Sequence, residues 1–254
     1  MAFGGKNVVL TGVLNDVGQG CAKDFAVHGA HVVLIDSDAA KLETLRAAIA
    51  ESGGKASTYP ANPCDEDAMA AAAERCAGEY GGVDVLVTCP MDVEVASIED
   101  SSVASWRRVI ENNLVGPLIA AKAFLPLLKR AADAAIVHVG SIDGILGNPQ
   151  VPSYSASKGG IIALTHVMAD EFGAFGIRVN CVARAIAIER GGPMSPNFER
   201  LKPHTPLGRP GYFDEIGAAA RFFASSEASY ISGTTLPVDG GRSAITPGTR
   251  RLSS

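Results

Sequence analysis

The feature that most constrains this chain is a set of short apolar runs that do not alternate with polar residues. His31–Asp36 (HVVLID), Val83–Thr88 (VDVLVT), Ala135–Gly140 (AIVHVG) and Arg178–Ala183 (RVNCVA) are of this kind. A strand with one face in water alternates polar and apolar side chains, whereas a strand buried on both faces does not. Val8–Leu10 and Thr235–Val238 add a first and a last strand, and Lys55–Tyr59 a weak one. Between the strands, Gly18–His28, Ala39–Glu51, Glu66–Glu79, Ser101–Lys129, Tyr154–Ala174 and Phe213–Ser225 have helical spacing; the fourth holds one long helix or two, with Pro117 and Pro126 as the candidate breaks. Strands and helices in this order, joined by right-handed crossovers, give an α/β fold: a Rossmann-type, doubly wound parallel sheet with helices on both faces. With no repeat or linker in view, residues 1–241 are expected to form a single domain and 242–254 an exposed tail. Pro193–Pro210, rich in proline and polar residues, is expected to be a loop or short helices over a ligand, with Met194, Phe198 and Leu201 as apolar contacts.

Composition excludes several classes. Apolar residues make up 47% of the chain, enough for a sizeable core and too many for a disordered chain. The net charge is −5, and the only basic clusters are pairs such as Arg107-Arg108 and Arg250-Arg251, so a nucleic-acid partner is not expected. The five cysteines form no CxxC pair and are odd in number, which points to a reducing, cytoplasmic setting rather than a disulfide framework or zinc site. The histidines fall in no ligand spacing, so no metal is expected, and no run of about 18 apolar residues suggests a membrane span. The expected partner is a small molecule bound at the carboxyl edge of the sheet.

Two regions carry chemistry. Thr11–Gly18 joins the first strand to the first helix. The glycines of this turn, Gly12 and Gly18, let the backbone approach a pyrophosphate, and free N–H groups at the helix start suit an anion. Asp36 closes the second strand about 20 residues later, where a carboxylate can bond ribose hydroxyls and would repel a 2′-phosphate, which favours NAD over NADP. The second region opens a helix at Tyr154-Ser155-Ala156-Ser157-Lys158. Residues i and i+4 share a helix face, and an ammonium there lowers a phenol pKa that otherwise lies near ~10. Ser141 stands at the carboxyl end of the strand 135–140, and Asn113 lies within Asn112-Asn113-Leu114-Val115-Gly116. His138, in that strand, and Cys89 are read as packed residues.

Taken together these residues resemble the short-chain dehydrogenase/reductase family over about residues 6 to 241. The resemblance rests on the Thr-Gly turn, the acid after strand two, Asn113, Ser141 thirteen residues before Tyr154, and Lys158. Arg178-Val179-Asn180, Leu207-Gly208-Arg209-Pro210 with Glu215-Ile216, and Val238-Asp239-Gly240-Gly241 match later family segments. It implies an NAD(P)-dependent oxidoreductase that interconverts a secondary alcohol and a ketone. Tyr154 would exchange the proton, Lys158 would lower the tyrosine pKa and bond the nicotinamide ribose, Ser141 would hold the substrate oxygen, and Asn113 would order a water linking Lys158 to solvent. Gly12, Asp16, Val17, Gly18, Asp36 and Asn62 fall at positions that would contact the cofactor. It further implies a homodimer or homotetramer that pairs the helices near 101–129 and 154–174.

The chain departs from the family on the cofactor side. Asp16 stands for the middle glycine of the turn, with Phe25–Ala30 fixing the alignment. Asn62-Pro63 replaces Asp-Val, Thr88-Cys89-Pro90-Met91 replaces Asn-Asn-Ala-Gly, and Arg184-Ala185 replaces Pro-Gly. Glu189 aligns with a threonine that usually meets the carboxamide. These changes keep two alternatives open: a catalytically silent relative with a structural or regulatory role, and a module that binds another nucleotide or a flavonoid-like ligand.

Overall fold

The computed structural model describes residues 3–194 and 196–246. Nine strands follow in order: β1 (Asn7–Thr11), β2 (His31–Asp36), β3 (Lys55–Pro60), β4 (Val85–Thr88), β5 (Ala135–Ser141), β6 (Arg178–Arg184), β7 (Ala187–Ile188), β8 (Gly211–Tyr212) and β9 (Thr235–Val238). Seven of them form one parallel sheet in the order β3-β2-β1-β4-β5-β6-β9, and β7 pairs with β8 beside it. The helices are α1 (Asp16–Val27), α2 (Ala39–Glu51), α3 (Glu66–Tyr80), α4 (Val103–Ile110), α5 (Gly116–Leu128), α6 (Asp143–Leu146), α7 (Pro152–Gly173), α8 (Pro196–Leu201) and α9 (Phe213–Ala224).

The unbroken apolar runs are explained by two cores. Val8, Leu10, Val32 and Leu34 point to one face, where they meet Cys21 and Phe25 of α1, Leu42 and Ile49 of α2, and Ile216 and Phe223 of α9. Val9, Val33, Ile35 and Ile136 point to the other, onto Met69 of α3, Phe124 of α5, and Met168 and Phe172 of α7. Every residue of such a strand is therefore needed inside, at roughly 1.5–3 kcal/mol for each large side chain.

Helix starts follow their caps. Asn15, Asp38, Asp65 and Ser102 accept backbone N–H bonds from Gly18, Lys41, Ala68 and Ser105. The first helix thus begins at Asp16, ahead of the apolar spacing at Gly18 that marks it in the sequence. Pro152 opens α7, where its fixed φ and missing N–H are harmless. The fourth helical segment is continuous, with a wider turn in its middle. Pro117 does not break it; α4 runs into α5 through a π-helical turn at Glu111–Val115, in which the Gly116 N–H reaches back to the Glu111 carbonyl. Pro117 lacks the N–H that would bond the carbonyl four residues earlier, that of Asn113, and the turn widens there. Pro126 sits inside α5 near its end.

The carboxyl ends of the strands bring the chemistry-bearing residues to one edge. Thr88 of β4 lies opposite His138 of β5, and Ser141 of β5 lies opposite Arg184 of β6. Beyond β5, α6 rests on the first turns of α7 so closely that a Cβ on Gly144 would lie 2.5 Å from the Lys158 carbonyl carbon. Only glycine permits that approach. In the 193–210 segment, Phe198 is fully buried and Met194 is 47% exposed. Of the expected tail, Arg242–Ala244 form a short 3-10 turn, and residues 247–254 lie outside the described residues. No helix among the described residues is long and apolar enough to cross a membrane.

Candidate active site

Tyr154 and Lys158 lie on one face of α7, beside the carboxyl ends of β4 and β5, and both are buried. The Lys158 Nζ donates to the carbonyls of Pro90 (2.8 Å) and Val139 (2.9 Å) and lies 5.6 Å from the centre of the Tyr154 ring. Burial pushes the Lys158 pKa down from its usual value, with the Tyr154 charge acting the other way. Ser141 stands beside the phenol, and its Oγ accepts the Asp143 N–H at 3.1 Å. A fourth group completes the cluster. The Arg184 Nη2 donates to the Tyr154 hydroxyl at 3.3 Å and to the Met91 Sδ at 2.7 Å, while Nη1 bonds the Ala185 carbonyl at 3.3 Å.

These neighbours set the phenol's acidity. Burial alone would raise the Tyr154 pKa. The Arg184 guanidinium, then the Lys158 ammonium, then the Ser141 hydroxyl oppose it, and together they bring the phenol below its ordinary value. A buried phenol with a lowered pKa and one hydroxyl beside it at a strand end can exchange a proton with a bound oxygen. Arg184 makes a larger contribution than Lys158 and was not foreseen. Its one signal in the sequence is that Arg184-Ala185 stands where the family has Pro-Gly, and only strand register puts it opposite Ser141.

Asn113 is fully buried in the π-helical turn, and its side chain is already engaged. Its Oδ1 accepts the Asp92 N–H (2.9 Å), and its Nδ2 donates to the Asp92 carbonyl (2.8 Å) and the Ser157 Oγ (3.1 Å). It therefore clamps the segment after β4 to α7, and Pro117 deprives its main-chain carbonyl of the usual helical donor. His138 bonds the Thr88 Oγ1 through Nδ1 at 2.7 Å, and its Nε2 has no partner among the described residues. Burial, reinforced by the Lys158 charge, lowers its pKa to about 4, so the imidazole is neutral.

Four of the expected cofactor residues, Gly12, Asp16, Asp36 and Asn62, line two separate clefts. Gly12, Asp36, Ser37, Asn62, Pro90 and Met91 line one of about 560 Å³ along the strand ends. Gly12 has φ +63°, and a Cβ there would come within 3.0 Å of the Pro90 Cα. Asn15 ties the turn to the segment after β4, donating to the Gly12 (2.8 Å) and Cys89 (2.6 Å) carbonyls. The Asp36 Oδ2 accepts the Leu14 N–H (3.0 Å) and Oδ1 the Ser37 N–H (2.8 Å). A carboxylate has about four acceptor sites, so both oxygens keep capacity for a ribose diol, and the residues at this end fit a dinucleotide. The Asn62 Oδ1 accepts the Cys64 N–H at 3.0 Å. Asp16 is exposed and lines the second cleft, of about 530 Å³, with Gln19, Lys23, Glu189, Arg190 and Asp214. The Val17 side chain lies in the core, which leaves only its main chain for a ligand, and the Gly18 N–H is taken by Asn15. Among the described residues no group of three or more His, Cys, Asp or Glu could hold a metal, and the five cysteines are free.

A seven-stranded parallel sheet with an acid after β2, a buried Tyr-Lys pair and a serine at the strand edge defines the class of NAD(P)-dependent oxidoreductases. Comparison with known proteins narrows the class. A family model described as enoyl-(acyl carrier protein) reductase matches residues 12–243. The chain is 36% identical over 248 residues to cis-4-hydroxycyclohexanecarboxylate dehydrogenase of Sinomonas cyclohexanicum, covering 96% of this chain and 99% of that protein. It is 37% identical over 243 residues to galactitol 2-dehydrogenase (L-tagatose-forming) of Cereibacter sphaeroides, covering 93% and 94%. A crystal structure of a short-chain type dehydrogenase/reductase from Mycobacterium marinum superposes with a TM-score of 0.89 at 27% identity, covering 96% and 97%. The chain belongs to the short-chain dehydrogenase/reductase family, and it is an enzyme acting on CH–OH groups with NAD or NADP.

Proposed function

We propose that this enzyme interconverts a secondary alcohol and a ketone, with NAD preferred to NADP, and that Tyr154 is the proton-transferring group. The observation that carries this reading is the buried Tyr154 phenol, whose pKa is lowered by Arg184, Lys158 and Ser141 against the effect of burial. Gly12, Asp36, Asn62 and the N-terminus of α1 would hold the dinucleotide. When bound it supplies the hydride acceptor or donor.

The chain's own residues do the rest. Ser141 and Tyr154 hold the reacting oxygen between two hydroxyls, and Tyr154 takes its proton as the carbonyl forms, or returns one in reduction. Lys158 has three N–H donors and gives two to main-chain carbonyls, which leaves one for a ribose hydroxyl. The Asn113 carbonyl, freed by Pro117, would accept from a water that carries the proton outward. Asp36 supports the NAD preference because its charge would face a 2′-phosphate. The names of the two relatives above, a hydroxy-acid dehydrogenase and a polyol dehydrogenase, are consistent with an alcohol substrate. Val103, Leu118 and Val167 leave apolar surface on α4, α5 and α7, which supports pairing of these helices in a dimer or tetramer. The free cysteines accord with a cytoplasmic setting.

Calorimetric titration with NADH and NADPH tests the reading, followed by turnover of a panel of secondary alcohols. Saturable binding with NADH tighter than NADPH is expected. Tyr154→Phe should keep NADH affinity and lose roughly 10²–10⁴-fold in turnover, the range for a general acid–base group. No binding of either nucleotide at millimolar concentration would sink the proposal, and unchanged turnover in Tyr154→Phe would remove Tyr154 from its role.

A further inference from the structure

Arg184 is half-buried at the reacting edge, and its partners are all uncharged: a phenol oxygen, a thioether sulfur and the Ala185 carbonyl. Among the described residues it forms no ion pair, whereas Arg108, Arg178, Arg190, Arg209 and Arg221 each meet a carboxylate. A thioether is a weak acceptor, and a charge withdrawn from water is costly unless an opposite charge meets it. The acid facing the phenol from α6, Asp143, forms no ion pair with Arg184 among the described residues; its Oδ2 accepts from Asn148 Nδ2 at 3.4 Å.

The place of this guanidinium specifies what it can meet. It lies in register with Ser141 and 3.3 Å from the Tyr154 hydroxyl, the two groups that would hold the reacting oxygen. A guanidinium pairs with a carboxylate through a planar fork of two N–H bonds, each about 2.8 Å long. A carboxylate so held lies only a few bonds from an oxygen on Tyr154. The Gly12 turn and the start of α1, where the pyrophosphate would sit, are reached by none of the Arg184 bonds.

Resting on the reaction proposed above, we infer that Arg184 is the specificity-determining residue of the site and that the substrate is a hydroxy acid or oxo acid. Its carboxylate lies one or two carbons from the reacting carbon. The Met91 Sδ holds the guanidinium until the carboxylate displaces it.

The full chain is titrated by calorimetry, with and without NAD, with lactate and 3-hydroxybutanoate and with their neutral methyl esters, and NADH formation is followed for the same four compounds. Wild type should bind at least one acid tenfold or more tighter than its ester and show the same preference in kcat/KM. Arg184→Gln should lose that preference in both readouts and keep its NADH affinity within twofold, and Arg184→Lys, which retains the charge, should keep part of it. Melting curves verify that both variants fold. Equal binding of acids and esters to wild type overturns the inference, as does an undiminished preference in folded Arg184→Gln. Weaker NADH binding in Arg184→Gln with the acid preference intact assigns the guanidinium to a cofactor phosphate and also overturns it. Turnover without acid preference defeats this inference alone, whereas Arg184-dependent acid binding without turnover of any alcohol supports it and defeats the proposed reaction.

Discussion

His138 and Tyr154 show how one buried layer acts on different side chains. Burial and the Lys158 charge hold the His138 pKa at about 4, against an ordinary value near ~6.5. The unfolded chain therefore binds a proton at His138 that the folded chain refuses, between about pH 6.5 and 4. The stability difference is fully present above pH 6.5 and is lost as the pH falls to 4, by on the order of 3 kcal/mol. Urea midpoints measured from pH 7 to pH 4 should fall less steeply in His138→Asn than in wild type; parallel curves would contradict the shift. Tyr154, Lys158 and Ser141 were legible as candidates because helix period and strand-end position are local properties of sequence, whereas Asn113 took its role from the family resemblance. Arg184 was visible only as a departure from Pro-Gly. Its meeting with Tyr154 depends on the register between β5 and β6, which neither strand's residues encode alone.

Between elements, the contact of α6 with α7 carries the most precise demand on sequence. Because a Cβ on Gly144 would meet main-chain atoms of Lys158 and Gly159, Gly144→Ala must displace one helix. Overpacking of this kind costs about 1–3 kcal/mol. Urea denaturation should show that loss, and turnover should fall because Ser141 and Asp143 move with α6, while NADH affinity at Gly12 and Asp36 stays within a few-fold. Unchanged turnover would mean that α6 shifts without Ser141. Helix starts were read from apolar spacing, which set α1 two residues late at Gly18; the side chains of Asn15, Asp38 and Asp65, which cap α1, α2 and α3, are what fix those starts. The π-helical turn was not readable. Pro117 looked like a break, yet an N–H lost at one residue can be absorbed by a wider turn.

Across the whole molecule, the parallel sheet was evident from strands whose every residue is apolar, and the two cores account for that pattern. The β7–β8 pair escaped notice because two-residue strands have no periodicity to detect. Apolar side chains left outside both cores on α4, α5 and α7 lead to an expectation about assembly. Light scattering should give a mass of two or four times 26.2 kDa, and charged substitutions at Leu118 and Val167 should lower it. A mass of 26.2 kDa for the wild-type chain would refute this pairing.

Lys158 spends two of its three N–H groups on the carbonyls of Pro90 and Val139, which belong to different strand ends. It is a clasp as well as a charge, and its loss would leave two main-chain acceptors without their donor. Selection for a stable chain alone would retain it, even in a descendant that had abandoned the reaction. Among the described residues the Tyr154 hydroxyl meets only its site neighbours Arg184 and Ser141. In a lineage built this way, a tyrosine drifting to phenylalanine would be the first trace of lost chemistry, and the lysine would outlast it.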